Sequence, residues 1–129
     1  MGKKSQSKRY VAIPQTVIAY DQIIKCLKDF SHGHQDDNNL VAQVKLLQDY
    51  AILLQKHDAM FEHLMLCKQY ENARICLFCQ NAHLAQAVTL ADKIVELADD
   101  FDEKILLTLE FAFWETDRII NIIGQQLEE

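Results

Sequence analysis

No glycine and no proline occurs between Gly33 and Gly124, a run of 90 residues in a chain of 129. These two residue types punctuate hairpins and sharp loops, and inside a helix they cost about 1 kcal/mol for glycine and about 3 kcal/mol for proline relative to alanine. A run of this length without either of them predicts a chain that is almost entirely helical. It also leaves this stretch without the glycine-rich loops that bind phosphate groups.

Apolar residues recur at steps of three and four along the chain, which is the spacing of one helix face. The pattern predicts five helices, which cover about residues 14–30, 39–56, 58–80, 83–98 and 101–126. Pro14 suits a first helical turn, Asp58 and Asp100 are expected caps, and Asn81 is the expected break between the third and fourth helices. Because the connections are short, neighbouring helices are expected to be antiparallel. The predicted fold is therefore an all-α, up-and-down antiparallel bundle of four to five helices.

Charge separates the beginning of the chain from the rest. The chain has a formal charge of −6, and four Lys or Arg residues among the first nine leave −10 for the remainder. Residues 1–12 are accordingly predicted to be a flexible, disordered basic tail, and residues 13–129 a single helical bundle domain. An acidic body repels phosphate, so no binding to nucleic acid is expected.

The sequence has the pattern of neither a membrane span nor a signal peptide, and whether the C-terminal residues 125–129 are a sorting signal stays open. The chain lacks both the roughly 18 to 20 successive apolar residues of a membrane span and the apolar stretch of a signal peptide. Its four cysteines are then most simply reduced thiols. The sequence predicts a cytoplasmic protein that does not contact membranes, with export by a route that needs no signal peptide left open.

The last predicted helix is apolar on more than one face. Of the 19 residues from Ile105 to Ile123, 12 are apolar. A helix on the surface of a bundle normally carries one apolar stripe, so this helix is expected to be the central helix of the bundle or one half of a subunit interface. The residues expected in the core of the protein are Leu47, Leu54, Ile94, Leu109 and Phe113.

A partner-binding or oligomer interface is predicted on this helix at Phe111, Trp114 and Ile122, flanked by Glu110 and Glu115. Trp and Phe are frequent anchors of protein interfaces, and ordinary packing in the core is the alternative. A second predicted surface is the acidic turn before the helix, which comprises Asp99, Asp100, Asp102 and Glu103. These features predict a protein partner with a basic surface, and the apolar helix predicts a homo-oligomer, most simply a homodimer.

The motif Cys76-Leu-Phe-Cys79 is followed four residues later by His83. On one helix these three side chains fall within about 60° of each other, which permits a shared metal ion. A structural zinc site has four ligands, and the fourth would have to be Cys26 or a residue of a partner chain. We therefore expect the cysteines to be small apolar residues of the core, with no metal and no cofactor bound. A metal- or ligand-binding bundle that uses Cys76, Cys79 and His83 is the alternative.

Sequence motifs of catalysis are absent. The chain contains no phosphate-binding glycine loop, no dinucleotide-binding fingerprint and no nucleophile elbow. We therefore expect that the protein is not an enzyme. The function predicted from the sequence is that of a non-catalytic protein-interaction module, such as an adaptor, a chaperone, or an inhibitor or regulator of a partner protein.

Overall fold

The computed structural model describes residues 18–128, and all regular secondary structure in this range is helical. The four helices are α1 (Tyr20–Gly33), α2 (Asn38–Leu66), α3 (Tyr70–Leu97) and α4 (Glu103–Glu128). Each helix packs mainly against the ones before and after it in the chain. The prediction of an all-helical protein is confirmed. The predicted tail and the start of the predicted first helix, up to residue 17, lie outside the described residues.

Two predicted breaks, at Asp58 and at Asn81, are wrong. The helix α2 runs through Asp58 as far as Leu66, and α3 runs through Asn81. Asp58 does not cap a helix, because its carboxylate accepts a hydrogen bond from the side chain of Gln80 across the α2–α3 interface. The three helices expected between residues 39 and 98 are therefore two, α2 and α3, which are separated by the turn at residues 67–69.

That turn is built on Lys68, which has a positive φ of 59°. The Lys68 N–H donates to the Met65 carbonyl at 3.0 Å, and the Gln69 N–H donates to the Leu64 carbonyl at 2.8 Å. This is the Schellman motif that often ends helices, with the left-handed position usually taken by glycine. Here lysine occupies it, which is why the sequence did not reveal the end of α2.

The other two turns follow the sequence more closely. Asp37 lies in the predicted loop at residues 31–39, and its side chain accepts a hydrogen bond of 3.1 Å from the Leu40 N–H at the start of α2. At the start of α4 the capping carboxylate belongs to Asp102, which accepts a bond of 3.0 Å from the Lys104 N–H. The prediction that Asp100 caps this helix is therefore wrong by two residues.

The core is divided into two clusters of buried apolar side chains. The larger cluster draws on all four helices and includes Leu47, Leu54, Ile94 and Leu109, as predicted. Phe113 packs against this cluster but is only partly buried, so the prediction that it lies in the core is correct only in part. The smaller cluster lies towards the α2–α3 turn and consists of Tyr70, Leu77, Ile120 and Ile123.

A layer of polar side chains lies between the two clusters. Asp58 of α2, Gln80 of α3 and Thr116 of α4 each lie in sequence between residues of the larger and the smaller cluster. Gln80 and Thr116 are buried, and Gln80 donates from Nε2 to Asp58 Oδ1 at 2.6 Å. Burial, followed by the nearby Glu62 carboxylate, raises the pKa of Asp58, while the bond from Gln80 lowers it.

Candidate functional site

The outward face of α4 exposes three large apolar side chains. Leu107 is 56% exposed, Phe111 49% and Trp114 69%. Their steps of four and three residues align them on one side of the helix over two turns. The partly buried Phe113 ring meets the Trp114 ring edge-on, with the centroids 5.9 Å apart, so the indole lies beside the core without entering it. We call Leu107, Phe111 and Trp114 the α4 stripe.

Two of the predicted interface residues, Phe111 and Trp114, belong to this stripe. Ile122 does not, because it is partly buried and lies two turns beyond Trp114. Leu107 was not among the predicted interface residues, although it precedes Phe111 by one helical turn. The spacing of the three residues was visible in the sequence, but which face of α4 the other helices cover was not.

Acidic side chains border the α4 stripe along one edge. Glu103, Glu110 and Asp117 are exposed and follow one another at seven-residue intervals. Residues seven apart differ by about 20° around a helix, so the three carboxylates lie nearly in line. None of them has an ion-pair or hydrogen-bond partner for its side chain within the part of the chain that the structure describes. We call these three residues the acid row.

The opposite edge of the stripe carries Lys104 and Arg118. Arg118 donates from Nε and Nη2 to the two carboxylate oxygens of Glu115, at 2.6 and 3.0 Å. The hydrogen bonds to Glu115, followed by the negative charge of that carboxylate, raise the pKa of Arg118 above its usual value. Glu115, predicted as a flanking acid, is therefore a partly buried member of an ion pair, whereas Glu110 is exposed.

The predicted acidic surface before α4 is partly structural. Asp102 caps α4, and Asp100 Oδ2 lies 2.8 Å from Nε2 of His34 in the α1–α2 turn. The other ring nitrogen of His34 faces the Phe30 carbonyl at 2.8 Å. An imidazole ring donates from both nitrogens only when it is protonated, and these two acceptors, the carbonyl first, raise the pKa of His34. The other two residues of this surface, Asp99 and Glu103, neither cap a helix nor form an ion pair with their side chains among the described residues.

The cysteines are not core residues, which corrects the sequence prediction. Cys26, Cys67 and Cys79 are exposed, and Cys76 is partly buried. The buried side of α3 is formed by Ala73, Leu77, Gln80 and Leu84, and Cys79 points away from it. The Cys76 thiol donates to the His57 carbonyl at 3.5 Å. Burial, followed by the nearby Cys79 thiol, raises the pKa of Cys76, which makes its thiol a weaker nucleophile at neutral pH.

The alternative site at Cys76, Cys79 and His83 is not assembled as a ligand set. One ring nitrogen of His83, Nδ1, donates to the Cys79 carbonyl at 2.8 Å. The ring itself lies beside that of His57, with centroids 5.3 Å apart, and burial followed by this neighbour lowers the pKa of His57. Within residues 18–128, no three His, Cys, Asp or Glu side chains converge in a way that would hold a metal ion.

Replacing both Cys76 and Cys79 with alanine is expected to lower the free energy of unfolding by less than about 1.5 kcal/mol, because one side chain is exposed and the other only partly buried. The free energy is measured by urea unfolding with and without a chelator. A chelator effect on the parent that the double variant lacks, together with stoichiometric zinc in the purified parent, would instead establish the metal-binding alternative.

Comparison with known proteins identifies no relative. No family model matches the chain, and no curated protein or solved structure matches it either. Among the four helices of the described range, none combines the length and hydrophobicity needed to cross a membrane. The function is therefore inferred from the chain's own residues.

Proposed function

We propose that this protein is a non-catalytic protein-interaction module, an up-and-down helical bundle that binds a partner protein through the α4 stripe. The observation that carries the proposal is the exposure of Leu107, Phe111 and Trp114 on one straight face. Complete burial of a fully exposed side chain of this size contributes about 1.5–3 kcal/mol, so covering these partly exposed side chains contributes roughly half as much each. Tryptophan is also among the commonest residues at the energetic centre of interfaces. A cytoplasmic adaptor, chaperone or protein inhibitor would use such a surface to bind its partner.

The charge around the stripe favours a basic partner over a second copy of the chain. Two copies packed stripe to stripe with antiparallel α4 helices would bring two acid rows together, and in either orientation both copies carry a formal charge of −10 over residues 10–129. Like charges at an interface weaken binding, whereas a basic partner would be attracted from a distance. Self-association through α4, which the sequence predicted, is therefore the second outcome that the experiment must distinguish.

Changing Trp114 to Glu is expected to abolish partner binding while the protein stays folded, because the indole is exposed and a carboxylate there would be desolvated on binding. Leu46→Glu is the matched control, since Leu46 is 49% exposed, like Phe111, but lies on α2. The immobilised parent and both variants are compared for the proteins that they retain from a native lysate. Size-exclusion chromatography at several concentrations reports self-association.

Proteins retained by the parent and by Leu46→Glu, lost with Trp114→Glu and cross-linked to α4 would support the proposal. If Trp114→Glu retains the same proteins as the parent, the stripe is not the binding surface. If the parent is a dimer that Trp114→Glu converts into a folded monomer, the occupant of the stripe is a second copy. Unfolding by Trp114→Glu, measured by circular dichroism, would show that the indole has a structural role.

A further inference from the structure

The acid row is placed to interact with whatever covers the α4 stripe. Each carboxylate is a helical neighbour of a stripe residue: Glu103 precedes Leu107 by four residues, Glu110 precedes Trp114 by four, and Asp117 follows Trp114 by three. The three carboxylates have no cationic partner among the described residues. A ligand that covers the stripe would therefore meet, along one side, three negative charges that no residue in the range 18–128 pairs with.

The spacing of the acid row matches a helix. Seven residues of helix advance about 10.5 Å, so cations seven residues apart on a neighbouring helix would lie opposite all three acids. An extended strand covers the same distance in about three residues, and residues three apart in a strand point to opposite faces. An extended partner could therefore not present an unbroken row of cations at this interval while also covering the stripe.

We propose that the α4 stripe binds an amphipathic α-helix of a partner protein, with Lys or Arg residues at seven-residue intervals facing the acid row. This inference rests on the proposed function and adds the chemistry of the partner. The opposite edge of the stripe has little effect on whether a basic or an acidic helix is preferred. Arg118 on that edge is already neutralised by Glu115, which leaves Lys104 as its one other cation among the described residues. Selectivity thus comes from Glu103, Glu110 and Asp117.

The test uses two synthetic 21-residue helical peptides without tryptophan. They share the same leucine and isoleucine seam and differ at the three edge positions that face the acid row, which hold Lys in one peptide and Glu in the other. Trp114 is the single tryptophan of the chain, so its fluorescence reports directly whether the stripe is covered. Dissociation constants are measured from this signal at low and at high salt.

We expect the lysine peptide to shift Trp114 emission to the blue and to bind at least about tenfold more tightly than the glutamate peptide at low salt. The difference should largely disappear at about 1 M salt, where charges are screened beyond about 3 Å. The double variant Glu110→Lys, Asp117→Lys should reverse the preference. Leu46→Glu should behave as the parent does.

Three results would overturn the inference. If both peptides bind equally and shift Trp114 emission, the stripe is an interface but the acid row does not select the partner. If neither peptide binds while Trp114→Glu still loses its captured partners, the partner is not such a helix and the proposed function survives. If the emission of the protein alone shifts with its concentration, a second copy covers the stripe.

Discussion

Leu109→Ala and Leu47→Ala are each expected to lower the free energy of unfolding by about 2–5 kcal/mol. Both leucines are buried almost completely in the larger core cluster, Leu109 on α4 and Leu47 on α2. Truncation would remove three carbon atoms from each site and leave a cavity that the packed neighbours can only partly fill. The loss should appear as a lower urea midpoint with an unchanged slope.

The chain offers a matched control for each leucine. Leu46 is adjacent to Leu47 and Leu107 is two residues from Leu109, and both controls are about half exposed. Their replacement by alanine should change the free energy of unfolding by less than about 1 kcal/mol, because little apolar area returns to water. Equal losses for the buried and the exposed member of either pair would contradict the placement of the core.

Asp58→Ala is expected to destabilise the protein by about 1–3 kcal/mol, because it removes the carboxylate that accepts a hydrogen bond of 2.6 Å from the buried Gln80 side chain. Asp58→Asn retains an acceptor and removes the partly buried charge, so it should be neutral or stabilising at pH 7. The comparison of these two variants separates the hydrogen bond from the charge. Urea unfolding at pH 7 measures both effects.

The pH dependence at Asp58 has a defined sign. Its pKa is raised in the folded protein above the ordinary value of 3.8, so the folded state holds this proton more tightly than the unfolded state does. The contribution of Asp58 to stability is therefore most favourable below 3.8 and becomes less favourable as the pH rises through the folded pKa. Above that pKa the full cost of burying the charge is present.

At each pH, we take the difference in unfolding free energy between the parent and Asp58→Asn. The remaining carboxylates are present in both proteins, so their titration drops out of this difference. We expect this difference to shift in favour of the variant as the pH rises from about 3.5 to 7. A difference that is flat over this range would mean that Asp58 titrates in the folded protein as it does in the unfolded one. It would then contribute to the layer only through its hydrogen bond.

The candidate binding surface on α4 was only partly predictable from the sequence. The apolar excess on α4 was evident from the sequence, and two of the residues that it indicated, Phe111 and Trp114, are exposed. The same excess also favoured Ile122, which is partly buried, and did not select Leu107. Periodicity orders residues around a helix, but the directions from which other helices approach decide which apolar residues remain exposed.

The cysteines illustrate the same limit. Cys76 and Cys79 share a helical face with His83 in any continuous helix, and this local geometry was predicted correctly. Their burial was not, because α3 packs against α2 and α4 through a face centred on Leu77 and Leu84. A residue type with a strong average preference for the interior can lie outside when its helix turns another side inwards.

The sequence alone was sufficient to predict those features that depend on residues close together in the chain. The long stretch without glycine and proline determined a helical chain, and apolar residues at steps of three and four identified Leu47, Leu54, Ile94 and Leu109 as core. The Asp37 cap lies in a turn that its polar sequence had marked.

Tertiary structure decided what depends on distant residues. It merged five predicted helices into four, since Lys68 takes a left-handed conformation while Asp58 stays in its helix and bonds to Gln80. It also decided that the α4 stripe faces outwards. Backbone propensity acts between neighbours along the chain, whereas burial, pairing and exposure arise only when helices far apart in sequence pack together.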